Sequence, residues 1–301
     1  MNEITIKAYA KVNLALDVLG LLENGYHELD MIMHQIELHD DVTVKWEPDD
    51  SGKLKIKLSS GRDDLPEDKG NIAYRAVLVM AEGQEKSGTV SIEIKKVIPV
   101  AAGLAGGSGN GAAVIHGLNI LWDMNMSLDE LMDMGKKIGS DVPFSIAGQG
   151  RLNDLPCGGF TCARATYDGT VLEPLPSFDS KYVVLCKPDI GVSTKEVYQG
   201  IDSVEIPERP DISKIVQGIR TNNMTLVAEN MVNVLENYTL NRYNCIINIL
   251  ETFKGNAGCI KAMMSGSGPS VFCIMDNLEE AKALAAVMRE TYIESYLTWL
   301  V

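Results

Sequence analysis

The sequence predicts an α+β protein of two domains. Its 301 residues exceed what one small core usually serves. From Tyr182 onward the patterning reads strand, helices, strand, strand, helix, strand, the layout of a ferredoxin-like open sandwich. Between a β-like run and an apolar helical run lies PVAAGLAGGSGNGAAVIH (99–116), with five glycines and five alanines in eighteen residues. Strand, small-residue loop and helix N-terminus together are the makings of an anion site.

Each element has its own signal. Ile4–Ala8 and Val12–Val18 read as strands. In the second, Val12, Leu14, Leu16 and Val18 alternate with Asn13, Ala15 and Asp17, which gives one apolar face and sets Lys11 and Asn13 together on the other. Asn24-Gly25 is a turn between paired strands. Met31–Leu38, Val42–Trp46 and Leu54–Leu58 read as further strands, Asp63–Asn71 as a charged loop, and Ile72–Glu82 as a helix stopped by Gly83. Thr89–Ile98 is β-like. After the glycine stretch and its helix, Ser127-Leu-Asp-Glu130 forms a capping box for a second helix that Gly139 ends. Asp141 is placed to cap a short helix with Pro143 in its first turn. Arg151–Thr170 shows no regular period, so the domains are set at 1–157 and 158–301, with the junction inside 149–180. A strand at Tyr182–Cys186 and helices at Ile212–Arg220, Thr225–Val234 and Tyr243–Phe253 follow. Strands Cys259–Met263 and Val271–Met275 flank SGSGPS (Ser265–Ser270), and a helix at Leu278–Glu290 and a strand at Ile293–Trp299 complete the chain.

Composition narrows the function. The net charge of −14 lacks the basic footprint that nucleic acid or an anionic membrane requires. A small phosphate site remains compatible, since it works through local amides and one or two lysines. Six cysteines without a CxxC and only four histidines argue against zinc. Cys157 and Cys162 are able to pair, but reduced thiols are the default expectation. No signal peptide and no apolar run of about 18 residues is visible, which leads to the expectation of a cytoplasmic protein.

The glycine stretch lets backbone N–H groups approach an anion, and the helix macrodipole adds charge of the right sign at the same end. Its plainer reading is a flexible loop. Neither GxxxxGK[ST] nor GxGxxG is present.

Three stretches, AYAKVNLALDV, PVAAGLAGGSGNGAA and MMSGSGPSVF, occur in the order of the motifs of the GHMP kinases, and the chain resembles that family. AKVNLALDVLGLLENGYHELDMIMHQIELHD, GSDVPF, KPDIGVSTKEVY and NVLE narrow the resemblance to members acting on a cytidine-diphosphate-linked methylerythritol. The resemblance implies the two-domain GHMP fold, with a left-handed βαβ unit in the N-terminal domain. It also implies ATP-dependent phosphorylation of a hydroxyl, with magnesium accompanying ATP and no protein metal centre. The partner is a small cytidine-diphosphate alcohol; the oligomeric expectation is a monomer or weak homodimer. Other small-alcohol kinases of the family, and a catalytically silent binding protein of the same fold, are the alternatives.

Residue by residue, the resemblance places Lys11 and Asp141 as the catalytic pair. Nucleotide contacts fall on Asn71, Lys96, Pro99, Val100, Ala101, Ala102, Gly103, Leu104, Ala105, Gly106, Gly107, Ser108, Gly109 and Asn110. Substrate contacts fall on Asn13, Tyr26, His27, Thr194, Tyr198, Gly266 and Ser267, with Tyr26, His27 and Tyr198 clamping the cytosine. Plainer readings stand beside these: a solvated lysine for Lys11, a helix cap for Asp141 or Ser108, a core aromatic for Tyr198. The chain departs from the family's usual GLGGGSS form at Ala105, Gly109 and Gly111. Ala105 fits the loop if its φ is negative, and Gly109 removes a hydroxyl available to touch a phosphate. The segment Gln149–Asp168 reads as a lengthened loop, either a mobile flap or an inert surface excursion.

Overall fold

The computed structural model describes residues 1–178 and 181–301. The chain divides into two compact units, each built from several segments. Unit 1 comprises Met1–Ala10, Leu38–Ile98 and Ala105–Thr161; unit 2 comprises Lys11–Glu37, Pro99–Leu104 and Cys162–Val301. The blocks expected from the sequence are contiguous, whereas these units are not, because two long strands contribute to both. They are β1 (Glu3–Leu21) and β2 (His27–Pro48), which pair with each other.

Each of those strands was expected as two shorter ones. The interruptions vanish because the residues from Ala8 to Val18 are all buried. A strand covered on both faces shows no clean two-residue alternation. The face expected to be polar is covered as well: Asn13 is 0% exposed, and Lys11 and Asp17 are also buried.

In unit 1, β3 (Leu54–Ser59), α1 (Ile72–Ala81) and β4 (Gly88–Lys95) form a βαβ unit in which β3 and β4 pair in parallel. β4 pairs antiparallel with the second half of β2, from Asp41↔Lys95 to Pro48↔Gly88. Val90, Ile92 and Ile94 alternate with Ser91, Glu93 and Lys95, and their buried face receives the helices. Full burial of each such side chain contributes about 1.5–3 kcal/mol. That face shares one buried core with α1, α2 (Gly106–Leu121), α3 (Leu128–Lys136) and α4 (Val142–Leu152). The helix α2 is buried continuously from Gly109 to Asn119. The capping box at Ser127 is present, with both reciprocal bonds to Glu130.

In unit 2, the first half of β2 pairs with β5 (Cys162–Tyr167), which pairs with β6 (Val171–Leu175). A second, fully antiparallel sheet runs β10 (Glu294–Trp299), β7 (Tyr182–Lys187), β9 (Val271–Met275), β8 (Cys259–Met264). That order, fourth-first-third-second, is the ferredoxin-like sandwich expected. The helices of this unit are α5 (Thr194–Ile201), α6 (Ile212–Arg220), α7 (Met224–Asn230), α8 (Glu236–Thr239), α9 (Asn244–Lys254) and α10 (Leu278–Thr291). α7 stops four residues short of the predicted end, and Met231 is extended. All six cysteines are free thiols. Among the described residues no helix is long and apolar enough to cross a membrane.

Candidate active site

In unit 1 the helix begins earlier than the sequence suggests: Gly106–Asn110, expected as loop, are the first turn of α2. The N–H of Gly109 bonds to the carbonyl of Ala105 at 2.8 Å. The N–H groups before it, on Gly106, Gly107 and Ser108, have no intrahelical acceptor by geometry. No side chain caps this helix. Gly107 is exposed and Ser108 half-exposed, so the amino end is open to an anion.

Two expectations for this stretch are corrected. Ala105 has φ 55°, in the left-handed region, not a negative φ. Gly109 does not face a ligand: a Cβ there would lie 3.2 Å from the Tyr9 carbonyl and 3.4 Å from Gln149 Nε2. Its backbone carbonyl accepts a hydrogen bond from that same Gln149 amide at 2.9 Å.

Lys96 and Asn110 are brought together on one carboxylate. Asp40, 0% exposed, accepts from Lys96 Nζ at 2.5 Å and from Asn110 Nδ2 at 2.8 Å through Oδ2. Through Oδ1 it accepts from the backbone N–H groups of Val97 (2.7 Å) and Ile98 (2.8 Å). Asn71 is the N-cap of α1: its Oδ1 accepts from Ala73 N–H at 3.0 Å while Nδ2 donates to the Pro66 carbonyl at 2.9 Å.

Asp141 occupies the N-cap position of α4, but its side chain makes no capping bond. Its backbone is helical (φ −81°, ψ −11°), whereas a side-chain cap needs an extended residue. Its backbone carbonyl accepts from both the N–H and the Oγ of Ser145, each at 3.1 Å. Asp141 as a residue is half-buried.

The segment Gln149–Asp168, read as a lengthened loop, carries regular structure at both ends. Gln149–Leu152 finish α4, and Cys162–Tyr167 are β5. The residues between are bonded down, by Leu155 N–H to the Gly150 carbonyl (2.9 Å), Gly159 N–H to the Ala147 carbonyl (3.0 Å) and Cys157 Sγ to the Met126 carbonyl (2.9 Å). The glycines serve close approach: a Cβ on Gly150 would stand 2.0 Å from the Cys157 carbonyl oxygen.

In unit 2, Lys11 Nζ donates to Asn13 Oδ1 at 2.7 Å, and Asn13 Nδ2 reaches Met31 Sδ at 3.4 Å. The Lys11 N–H donates to the Leu104 carbonyl at 3.1 Å, which ties β1 to Pro99–Leu104. Those residues lie against the turn between β8 and β9. Ser265 Oγ donates to the Gly103 carbonyl at 3.0 Å, and a Cβ on Gly103 (φ 71°) would be 2.2 Å from the Ser265 carbonyl oxygen. Thr194 Oγ1 and Ser267 Oγ are 2.9 Å apart, so these two predicted substrate contacts share a hydrogen bond.

Tyr26 sits in the Asn24-Gly25 turn with 67% of its surface exposed. Its N–H donates to Asn24 Oδ1 at 3.0 Å, and Gly25 has φ 82°. The rings of His27 and Tyr198 are 5.4 Å apart at 34°. His27 Nε2 also faces both oxygens of Asp202, at 3.1 and 3.2 Å.

Sequence reasoning missed the residues that hold the candidates in place: Asp40, Asp202, Asn233 and Glu236. Asn233 Nδ2 donates to the carbonyls of Met264 (2.9 Å) and Gly266 (2.8 Å), and Glu236 Oε1 accepts the Met264 N–H at 2.7 Å. NVLE carried the last pair as a recognised string but gave no hint that its polar ends grip the SGSGPS turn. Among the described residues no group of three or more His, Cys, Asp or Glu is disposed to hold a metal.

Comparison with known proteins bears on the family and the fold. The family model described as GHMP kinases N terminal domain matches residues 71–149, and that described as GHMP kinases C terminal matches 215–294. The chain is 42% identical over 298 residues to a 4-diphosphocytidyl-2-C-methyl-D-erythritol kinase of Acetivibrio thermocellus, covering 99% of both chains. It is 40% identical to one of Clostridium botulinum, covering 98% of this chain and 99% of that one. A crystal structure of a 4-(cytidine 5'-diphospho)-2C-methyl-D-erythritol kinase superposes with a TM-score of 0.77 at 26% identity, over 99% of each chain. A homoserine kinase from Cytophaga hutchinsonii shares the fold, with a TM-score of 0.72 at 19% identity, over 100% of this chain and 95% of that one. With both family models matched in order and relatives at this identity along its whole length, the chain belongs to the GHMP kinase family.

Proposed function

We propose that the chain transfers the γ-phosphoryl group of ATP to a hydroxyl of 4-diphosphocytidyl-2-C-methyl-D-erythritol, in the non-mevalonate route to isoprenoid precursors. The observation that carries the phosphoryl chemistry is the uncapped amino end of α2, with its open Gly107 and Ser108. The identity of the alcohol is carried over from the relatives' names, with which the likeness runs end to end.

Phosphoryl transfer asks for positioning and charge stabilisation rather than covalent chemistry from the protein. Pro99–Asn110 receives the phosphates. Asn71 lies on the adenine side of that assignment, and Lys96, placed by the resemblance near the adenine as well, has its ammonium beside Gly106. Asp141 orients the hydroxyl and accepts its proton, as a carboxylate beside a reacting alcohol is able to do. Lys11 offsets charge on the transferring group, with Asn13 fixing its ammonium. Tyr26, His27 and Tyr198 take the cytosine, and Thr194, Gly266 and Ser267 the remainder of the alcohol.

Magnesium would neutralise developing phosphate charge. The Ser108 hydroxyl, at the open amino end of α2, would hold it or a phosphate oxygen. A cytoplasmic monomer or weak homodimer remains the expectation, and light scattering tests the second part.

The test is ATP turnover with the cytidine-diphosphate alcohol, with mevalonate, with homoserine and with no acceptor. Turnover with the first alone is expected. Turnover with another alcohol makes it a different small-alcohol kinase, and none with any makes it a silent binding protein. Asp141→Asn should lower kcat about 10²–10⁴-fold, the range of a general base, with substrate KM nearly unchanged; a near-normal kcat removes the base role.

A further inference from the structure

The carboxylate of Asp40 is used by nothing in the mechanism above, yet it collects four donors. Lys96 Nζ and Asn110 Nδ2 converge on Oδ2, and the N–H groups of Val97 and Ile98 on Oδ1. The Lys96 side chain is 4% exposed and that of Asp40 0%. Two ends of unit 1 thus meet at one group: the exit of β4, through residues 96–98, and the first turn of α2, through Asn110.

Stability alone is a poor reason for this arrangement. A buried ion pair is often replaceable by apolar residues at no loss, because desolvation offsets the attraction. The lysine is also set against the helix. A Cβ on Gly106 would lie 3.1 Å from Lys96 Nζ, so the ammonium sits beside the first residue of α2. That end of a helix already carries positive partial charge. A cation there is unfavourable unless a carboxylate holds it or an anion is to be bound.

We propose that Asp40 is a positioning residue of the nucleotide site, fixing Lys96 and Asn110 beside the amino end of α2 so that the phosphate-binding turn is ordered before ATP arrives. This rests on the reading that Pro99–Asn110 receives ATP. Asp40 acts through the residues it holds. An asparagine at 40 keeps one oxygen, which the two backbone N–H groups claim, and turns its NH2 toward the donors of Lys96 and Asn110. Both lose that anchor, and Lys96 Nζ is left with the Asn110 Oδ1 acceptor at 3.4 Å.

The experiment measures kcat, KM for ATP and KM for the alcohol, with ATP Kd by calorimetry, for Asp40→Asn, Lys96→Met, the double variant and Gly107→Val. Asp40→Asn is expected to raise KM and Kd for ATP about 10-fold or more, the scale of a small misplacement in a preorganised site. KM for the alcohol should stay within about 2-fold. The double variant removes the unpaired buried charge, so it should recover thermal stability; its ATP affinity should fall below that of Lys96→Met alone, because Asn110 has lost Asp40 as well, and this comparison carries the test if Asp40→Asn does not fold. Unchanged ATP affinity in folded Asp40→Asn overturns the proposal, as does a double variant that binds ATP as well as Lys96→Met alone. Gly107→Val checks the underlying reading, since a Cβ at 107 meets only Ile72 Cδ1 at 3.5 Å. If ATP affinity survives Gly107→Val, the phosphate-loop reading fails and the proposal with it. If Gly107→Val weakens ATP and Asp40→Asn does not, the proposal alone fails.

Discussion

Ala105 holds a left-handed backbone at φ 55°, immediately before α2. An L-residue there costs about 1–2 kcal/mol. Glycine adopts the conformation freely but loses about 0.5–1 kcal/mol more chain entropy on folding than alanine. Ala105→Gly should therefore stabilise the protein by about 0.75 kcal/mol, the difference of the mid-range values of those terms. A higher urea midpoint at unchanged m would show it; an unchanged or lower midpoint would mean the surroundings favour the methyl group. Tyr26 offers a cleaner functional probe, because its exposed ring lies in a turn and carries little of the fold. Stacking on a base is worth about 1–3 kcal/mol. Tyr26→Ala should raise KM for the alcohol about 5- to 150-fold and leave that for ATP nearly unchanged. Equal loss for both substrates would point to a folding defect and remove Tyr26 from the clamp.

At the scale of elements, α2 and α4 are joined by a buried polar contact. His116 Nε2 donates to the Ile146 carbonyl at 2.8 Å. Burial, the larger influence, pushes the imidazole pKa below its ordinary value, and the carbonyl only partly opposes this. The unfolded chain then binds the proton more readily than the folded one. Stability is complete above about pH 6.5, the ordinary histidine value, and falls as pH drops below it, by at most about 1.4 kcal/mol per pH unit. His116→Gln keeps a donor without the titration and should flatten the stability profile between pH 6.5 and 5.5. Identical slopes in the two proteins would assign the acid sensitivity elsewhere. Element positions were largely legible in the sequence: α6 and β9 have the predicted bounds, and the Ser127 box and Asn24-Gly25 turn are where local chemistry put them. What was not legible depended on contacts far along the chain. Glycine at 150 and 159 read as mobility, but serves approach to the backbone at Cys157 and Ala147. Gly109 read as a missing ligand group and instead makes room for Tyr9 and Gln149. Asp40 sat unmarked at the end of an apolar run, because its four donors come from residues 96–110. The candidates Lys11, Asn13, His27, Tyr198, Thr194 and Ser267 were named from motifs, while their pairings, Lys11–Asn13, His27–Tyr198 and Thr194–Ser267, emerged only with the fold.

At the scale of the whole molecule, the chain changes unit after residues 10, 37, 98, 104 and 161. Unit 2 takes its first strands from residues 11–37. Leu16 exchanges backbone bonds with the 232–234 segment, giving its N–H to Val232 (3.0 Å) and accepting from Val234 (2.9 Å). Residues 29–34 of β2 pair with β5 in register from Leu29↔Tyr167 to His34↔Cys162. Val301 N–H reaches the Gln35 carbonyl at 3.2 Å. A cut at 157/158, where composition alone suggests a boundary, would leave these partners on different fragments. Fragment 1–157 would expose strand edges from residues 11–37, and fragment 158–301 would lack the strand beside β5. Unpaired edges of this kind favour aggregation over folding. Expressed separately, each fragment should lack a cooperative thermal transition by circular dichroism. Co-expression should recover a soluble complex with measurable ATP turnover, because every pairing can then form in trans. A cooperative melt of isolated 1–157, or of isolated 158–301, would show that the segments exchanged between units are dispensable for that fragment and that the contiguous division is the better description of how this chain folds.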